Sequence, residues 1–236
     1  MPRLSAEPQT PCDTHAIPEY LSTTYTWAYL NHRTLPWLDR SLVVSAILWG
    51  NAGRLMQAAV AEFSTGQRVL QAACVYGDFS PMLARQVGAE GALDVVDVAP
   101  IQVANVRRKF ADLPHAQARQ ADLTLPLDKT YQGVCCFFLL HEVPEHQRAK
   151  IVDNLLAAVE PGGKALFVDY HRPRRWHPLA PVMKLVFRWL EPYAPSLLDV
   201  PIESMSPRSS DFTWQRRTVF GGLYQHVLAT RKPAAA

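Results

Sequence analysis

The sequence lacks long apolar runs, which limits how the chain can meet a membrane. No stretch reaches the ~18 apolar residues that a spanning helix needs. The first 20 residues also lack the apolar centre of a secretory signal peptide. We therefore expect a protein without a membrane-spanning segment, either soluble or bound at a membrane surface.

An excess of charge and a zinc-binding cysteine pattern are also missing. The 24 basic and 21 acidic residues leave a formal net charge of +3, too small to indicate nucleic-acid binding, for which a clustered basic face is expected. The four cysteines have no zinc-ligand spacing. Cys135 and Cys136 are adjacent within an apolar run, which predicts a buried strand and favours a reducing compartment.

Apolar residues make up 48% of the 236 residues, which is enough for one α/β domain with an extension. We predict a flexible tail over 1–18, an N-terminal helical lid and substrate region over 19–63, and an α/β core over 64–236. Within the lid region, a second helical piece is predicted from Leu38 to Phe63, locally weakened by Gly50 and Gly53.

Short apolar segments alternate with helical segments along the core, which predicts a doubly wound, mostly parallel sheet. A Gly-Gly turn between two late strands predicts an antiparallel strand near one edge. The predicted strands are 67–74, 92–98, 116–122, 131–140, a fifth that follows a turn within 161–170, and then 212–220 and 223–231. The predicted core helices are 79–87, 99–110, 143–159 and 176–190.

Polar residues follow the carboxyl ends of the predicted parallel strands, where such sheets bind their ligands. A carboxylate that ends the second strand can accept hydrogen bonds from both hydroxyls of a ribose. The residues gathered at this edge are Gln71, Tyr76 and Gly77, then Asp97, then Asp122, then His141 and Glu142, and finally Asp169, Tyr170 and His171.

Five blocks across residues 63–232 resemble the class I methyltransferases, which bind S-adenosylmethionine: VLQAACVYGDFS, VVDVAP, ADLTLP, LLHEVP and PGGKALFVD. The resemblance implies a Rossmann-like seven-stranded sheet. The family's loop pattern is E-x-G-x-G-x-G, but this chain has Gln71, Ala73, Val75 and Gly77 there. NAD binding is disfavoured because G-x-G-x-x-G is absent. The cofactor-binding residues implied are Gln71, Ala73, Tyr76, Gly77, Asp97, Val98, Asp122 and Leu123.

The altered loop QAACVYGD, together with LLHEVPEHQR and FVDYHRP, most closely resembles the rhodoquinone-biosynthesis methyltransferase-like proteins. This resemblance implies conversion of ubiquinone to rhodoquinone, with S-adenosylmethionine donating an amino group that replaces a ring methoxy group. It also implies a divalent metal, Mn²⁺. The catalytic residues predicted are Tyr76, His141 and Asp169, and the metal ligands predicted are Asp169, His171, His141 and Glu142.

The neutral residue in the loop suggests a physical hypothesis for amine transfer. An acid beside the α-ammonium of the cofactor favours the charged amine, which has no lone pair for attack. Gln71 removes part of that bias, and the bulk of Val75 and Tyr76 changes the space around the methionine end.

The substrate side is predicted from aromatic and basic residues on either side of the core. Trp27, Tyr29 and Arg33 lie in the predicted lid and, with His141 and His171, are the predicted substrate contacts. Residues 171–193 combine arginines, aromatic residues and an apolar stripe, which suits a helix at an anionic membrane surface. The expected location is the cytoplasmic face of a bacterial inner membrane, or the matrix side of a mitochondrial membrane.

Other interpretations remain open at this point. The chain could be a conventional C- or O-methyltransferase of quinone precursors, or an inactive module that only binds S-adenosylmethionine. Several of the candidate residues could also have a purely structural role. Asp97 could cap a helix, Asp122 could be a loop acid, and His141 could be a turn residue. Asp169 and His171 could pair with arginines, and the residue 171–193 stripe could pack on the sheet.

Overall fold

The computed structural model describes Pro18 and residues 38–233. Seven strands form one sheet in the order β3-β2-β1-β4-β5-β7-β6. Strands β1 to β5 are parallel, whereas β7 is antiparallel to both of its neighbours, so the predicted sheet is confirmed. The strands are β1 Arg68–Ala72, β2 Ala92–Asp97, β3 Ala116–Gln120, β4 Tyr131–Phe137, β5 Val159–Tyr170, β6 Phe212–Val219 and β7 Tyr224–Arg231.

Helices cover both faces of the sheet, as a doubly wound fold requires. One apolar core unites α1, α2, α3, α4 and α6 with one face, and a second unites α5 and α7 with the other. These helices are α1 Ser41–Ile47, α2 Ala52–Val60, α3 Phe79–Val87, α4 Pro100–Lys109, α5 Glu145–Ala157, α6 Ala180–Trp189 and α7 Ala194–Asp199, with short 3-10 turns at Leu140–Glu142, Ile202–Met205 and Pro207–Asp211.

The middle strands are buried because their residues are apolar on both faces. Strand β4 has six buried residues of seven, including Cys135 and Cys136, as the cysteine pattern predicted. Parallel pairing places Ala72 beside Val96 and Cys136. The carboxyl ends of β1, β2 and β4 therefore meet at one edge of the sheet, where the candidate residues gather.

The predicted second helical piece of the lid region is interrupted. Two helices, α1 and α2, replace it, because Trp49 and Gly50 adopt positive φ angles of 52° and 77° that no α-helix accommodates. Ala59 and Phe63 are almost completely buried in the core beneath the sheet. The part of the predicted lid that the structure describes thus packs on the α/β core.

The predicted helix at 176–190 begins four residues later, at Ala180, with Pro181 in its first turn. Met183 and Phe187 are buried, whereas Leu185 and Trp189 are 59% and 70% exposed. Among the described residues, no helix has the length and apolar character needed to cross a membrane.

Candidate functional site

Two cavities lie side by side at the carboxyl edge of the sheet. One is a cleft of about 610 Å³, including space open to solvent, next to the ends of β1, β2 and β3. The other is an apolar cavity of about 1260 Å³ between α1, α6 and the end of β4. Cys74, Phe138 and Glu142 line both. A ligand in the cleft can therefore reach one in the apolar cavity across these three residues.

The end of β2 contributes a buried carboxylate to the wall of the cleft. Asp97 accepts hydrogen bonds from the backbone N–H of Cys74 at 2.6 Å and of Ala99 at 2.7 Å. Burial raises the pKa of Asp97, although these N–H groups act in the opposite direction. The bond to Ala99 orders the turn before α4 but reaches none of the free N–H groups of the helix, so Asp97 does not cap α4, and it faces the cleft.

At the end of β1, the structure places the side chain of Gln71 differently from the prediction. Gln71 is fully buried and donates from Nε2 to the Ala73 carbonyl and to Ser80 Oγ. It lines neither cavity, because the alternation of the strand directs its side chain beneath the loop. Ala73 lines the cleft in a left-handed conformation, with φ of 68°, which is strained for a residue other than glycine.

Most of the other predicted cofactor residues do line the cleft. Val98, Asp122 and Leu123 form its wall beyond Asp97. Asp122 accepts a hydrogen bond from the backbone N–H of Thr124 at 2.8 Å, which orders the loop after β3. The cleft therefore offers carboxylates at the two positions where ribose and adenine are expected, and its residues fit S-adenosylmethionine.

The second half of the loop after β1 faces the apolar cavity instead of the cleft. Tyr76 lines that cavity, and its hydroxyl accepts a hydrogen bond from Gln102. The Gly77 N–H donates to Asp39, and Lys109 bridges Asp39 and the Gly77 carbonyl at 2.6 Å each. Asp39 thus ties the loop to the residues that lead into α1.

The end of β4 and the end of β5 bring together a histidine and a carboxylate. His141 Nδ1 lies 2.8 Å from Asp169 Oδ1, and both residues are buried. Asp169 also accepts from the backbone N–H groups of Leu140 and Tyr170 at 2.8 and 2.7 Å. Within residue 18 and residues 38–233, Asp169 therefore forms its ion pair with His141 and none with an arginine, the alternative considered for it.

Two further carboxylates surround the other ring nitrogen of His141. Its Nε2 lies 3.7 Å from Glu142 and 3.8 Å from Glu191. Burial by itself lowers the pKa of His141, but Asp169, then Glu191 and Glu142, outweigh it and raise the pKa to about 9. At neutral pH, His141 is an imidazolium that can donate a hydrogen bond into the apolar cavity.

Aromatic rings form the wall of the apolar cavity around His141. The Tyr170 ring lies edge-on to the His141 ring, with 4.8 Å between centroids, and Phe138 lies edge-on to both. The ring of Phe187 in α6 lies edge-on to the ring of Tyr170, with 5.2 Å between centroids. Phe138 has a positive φ of 54°, a strained backbone of the kind found at functional sites. The cavity suits a flat, largely apolar ring.

The predicted metal-binding set is not assembled. His171 Nδ1 lies 2.9 Å from the Gly222 carbonyl, and His171 lines neither cavity. Asp169 already accepts from three backbone N–H groups and lies against the ring of His141. Across residue 18 and residues 38–233, no three histidine, cysteine or acidic side chains are grouped to hold a metal ion. The donor set therefore does not fit the manganese prediction.

Three of the predicted substrate residues, Trp27, Tyr29 and Arg33, lie outside the described residues, as does the predicted tail apart from Pro18.

Two residues that line the apolar cavity, Phe138 and Glu191, were not predicted from the sequence. Phe138 could have been found, because it directly follows β4 at the ligand edge of the sheet. Glu191 follows α6, and no pattern in the sequence links it to His141.

Comparison with known proteins supports the cofactor cleft. Residues 69–163 match a family model described as a methyltransferase domain. The chain is 29% identical over 115 residues to the 2-phytyl-1,4-naphtoquinone methyltransferase of Thermosynechococcus vestitus, covering 48% of this chain and 50% of that protein. It is 29% identical over 113 residues to the ubiquinone/menaquinone biosynthesis C-methyltransferase UbiE of Idiomarina loihiensis, covering 46% and 44%. The chain spans about half the length of these relatives.

Solved structures support the fold over a larger share of the chain. The N-methyltransferase NodS from Bradyrhizobium japonicum, solved with S-adenosyl-L-homocysteine, superposes with a TM-score of 0.59 and 14% identity. The superposition covers 90% of this chain and 97% of NodS. Strand order, antiparallel last strands and this superposition together show the Rossmann-like fold of class I methyltransferases.

Proposed function

We propose that this protein, which has the class I methyltransferase fold, transfers a group from S-adenosylmethionine to the ring of a quinone or quinone precursor. The observation that carries the proposal is the junction of the two cavities. A cleft with Asp97 and Asp122 on its wall meets an aromatic, apolar cavity at Phe138 and Glu142, next to His141. The activities named for the relatives, on naphthoquinone and ubiquinone or menaquinone compounds, support the same substrate class.

Methyl transfer to a ring carbon is the reaction that the comparisons favour. S-adenosylmethionine, when bound, supplies an electrophilic methyl group on a sulfonium. His141, as an imidazolium, donates a hydrogen bond to an oxygen of the quinol ring and stabilises its ionised, quinolate form, from which the ring carbon attacks the methyl group. Asp169 holds the ring of His141 in place, and the aromatic wall excludes water. The ring carbon gains the methyl group and loses its proton to one of the carboxylates that line the apolar cavity, Glu142 or Glu191, and the sulfur keeps the electron pair of the broken bond.

Amine transfer is the second candidate, and the altered loop supports it. Gln71 brings no negative charge to the methionine end of the cleft, and Val75 and Tyr76 line the apolar cavity. In this reaction the amino nitrogen of the cofactor bonds to the ring carbon of ubiquinone, and methoxide leaves with an amine proton as methanol. The bond between the nitrogen and the α-carbon of the cofactor then breaks, with loss of a proton from the adjacent carbon of the cofactor, and the product is rhodoquinone. His141 then activates the ring by donating to a quinone oxygen. No step passes through a metal ion, because His171 lies apart from the other predicted ligands and no group in the described part of the chain is arranged to hold a metal.

One labelling experiment tests both reactions. The protein is incubated with ubiquinone or with a demethylated quinol, and with S-adenosylmethionine carrying deuterium in its methyl group and nitrogen-15 in its amino group. Mass spectrometry of the quinone fraction then identifies the transferred group. We expect a product that carries the deuterated methyl group and no nitrogen-15.

The possible products separate the candidates. A product that has lost a methoxy group and gained nitrogen-15 would show that the protein transfers the amino group and not the methyl group. Adding a manganese salt to a parallel reaction tests whether the predicted metal takes part. If neither label reaches any quinone while the protein still binds S-adenosylmethionine, the proposed substrate class is wrong.

A long-chain quinone resides in a bilayer, so we propose that the mouth of the apolar cavity binds a membrane surface. Ile47 of α1 and Leu190 after α6 both line the cavity and are 50% and 47% exposed. The exposed face of α6 continues from them with Leu185 and Trp189, and Arg188 lies over the Trp189 ring. Apolar and basic side chains together suit an anionic lipid surface, at the bacterial inner membrane or the mitochondrial matrix side.

Membrane binding is tested by flotation with phosphatidylcholine vesicles that contain or lack phosphatidylglycerol. We expect the protein to float with the anionic vesicles, and the double variant Leu185→Ser, Trp189→Ser to lose roughly tenfold or more of that binding, because it removes two insertable side chains. Leu125→Ser, a change at a 49% exposed leucine on another loop, is the matched control. Equal flotation of the double variant and the wild type would contradict the proposal.

A further inference from the structure

The cofactor carries a positive charge, but β1 does not supply the acid that the family's loop pattern places there. Gln71 is neutral, buried beneath the loop and absent from the walls of both cavities. A positive charge that enters a largely buried cleft needs a nearby negative group, because burial without one is costly. Another carboxylate should therefore face the methionine end of the cofactor.

Of the residues that the structure describes, three carboxylates line the cofactor cleft, and one of them also lines the apolar cavity. Asp97 and Asp122 lie on the part of the wall formed by the ends of β2 and β3 and already accept backbone N–H groups. Glu142 lies at the junction, where the transferred group must pass between the two ligands. The sulfonium, which is bonded to the methyl group, must be near this junction.

The charges around Glu142 also favour a cation. Glu142 is 8% exposed, and its neighbours include Glu191 and Asp169, with His141 between the three carboxylates. The guanidinium of Arg148 bonds the carbonyls on either side of this turn. Glu142 therefore belongs to a group of three carboxylates arranged around His141, a setting in which a further cation is favourable.

We infer that Glu142 recognises the sulfonium charge of S-adenosylmethionine at the junction of the two cavities, so that the methionine end still meets an acid although position 71, where the family's acid lies beside the α-ammonium, carries none. This inference rests on the proposed function. It assigns to Glu142 a cofactor-binding role instead of the metal-binding role predicted from the sequence. Glu142 thereby favours the charged donor over the neutral S-adenosylhomocysteine that methyl transfer leaves behind.

The test compares binding of these two ligands by calorimetry. Glu142→Gln keeps the size of the side chain and removes its charge. We expect it to weaken binding of S-adenosylmethionine roughly tenfold, between the effects of surface and buried charge pairs, and to change binding of S-adenosylhomocysteine less than about threefold. Glu142→Asp, which keeps the charge, should recover much of the preference. Unchanged S-adenosylhomocysteine binding also shows that the variant is folded.

Glu191→Gln is the matched control, because Glu191 is equally close to His141 but lines only the apolar cavity. It should reduce the preference for S-adenosylmethionine clearly less than Glu142→Gln does, because Glu191 is not on the wall of the cofactor cleft. If Glu142→Gln weakens both ligands equally, or neither, the inference is wrong. That result is independent of turnover. A wild-type protein that prefers S-adenosylmethionine but modifies no quinone would overturn the proposed substrate and leave the role of Glu142 standing.

Discussion

Replacing His141 by glutamine is expected to lower kcat for the quinone substrate by about 10²- to 10³-fold, the usual effect of removing one donor to a developing oxyanion. Glutamine can still donate a hydrogen bond, but it carries no positive charge. Binding of S-adenosylmethionine should not weaken, because the change removes a positive charge beside a cationic ligand. Steady-state kinetics and calorimetry measure the two effects separately.

The matched control for this variant is His146→Gln. His146 is exposed on α5, so its replacement should change kcat less than about twofold, as for most surface substitutions. A His141→Gln enzyme with wild-type kcat would show that His141 only supports the turn at the end of β4, which is the structural reading of the sequence.

The raised pKa of His141 adds a test of how this residue acts. Since its pKa is about 9, kcat/KM for the quinone should fall as the pH rises through about 9 and the imidazolium loses its proton. The same shift contributes stability that is complete below the ordinary pKa of 6.5 and is lost as the pH rises through about 9. In Asp169→Asn, the alkaline limb of the rate profile should move to lower pH.

The sequence could predict the edge of the sheet that carries the site, because strand ends follow directly from where apolar segments stop. Asp97, Asp122 and His141 were found in this way, and the structure places all three around the two cavities. Such reasoning identifies the last residue of a strand, but it does not give the direction of every side chain. Gln71 was assigned to the cofactor for this reason, although its amide points into the core.

The parts of the site that could not be predicted depend on contacts between distant segments. Glu191 reaches His141 only because α6 crosses the end of the sheet, 50 positions further along the chain. Ala73 illustrates a different limit. A loop pattern with alanine in place of glycine suggests altered binding, yet the backbone still adopts the left-handed φ that the glycine would have allowed. The loop shape is retained while its charge is changed.

Arg148 is the residue whose loss should destabilise the protein most among the polar groups near the site. It lies on α5, is 1% exposed, and donates to the carbonyls of Leu140, Val143 and Tyr193 at 2.8 to 2.9 Å. It also donates to Ser196 Oγ at 3.1 Å. These bonds connect the turn that carries His141 and Glu142 to the segment that follows Glu191.

We expect Arg148→Met, which keeps most of the apolar volume, to lower the free energy of unfolding by roughly 3–5 kcal/mol. Three buried carbonyls lose a charged donor, and each unsatisfied group costs about 1–3 kcal/mol. Urea unfolding followed by circular dichroism measures the change. Arg217→Met is the control, because Arg217 is 67% exposed and its ion pair with Glu62 should contribute about 0–1 kcal/mol.

Arg148 should also affect the chemistry, because it fixes the distances that set the pKa of His141. In Arg148→Lys, the charge remains but a single ammonium cannot bond all of these carbonyls at once. Glu191 and Glu142 are then held less closely to His141, so the alkaline limb of kcat/KM should shift below about 9, at temperatures where the variant is fully folded. A variant that is less stable but keeps the wild-type pH profile would limit Arg148 to a structural role. A shifted limb would show that this buried arginine positions the charged groups of the site.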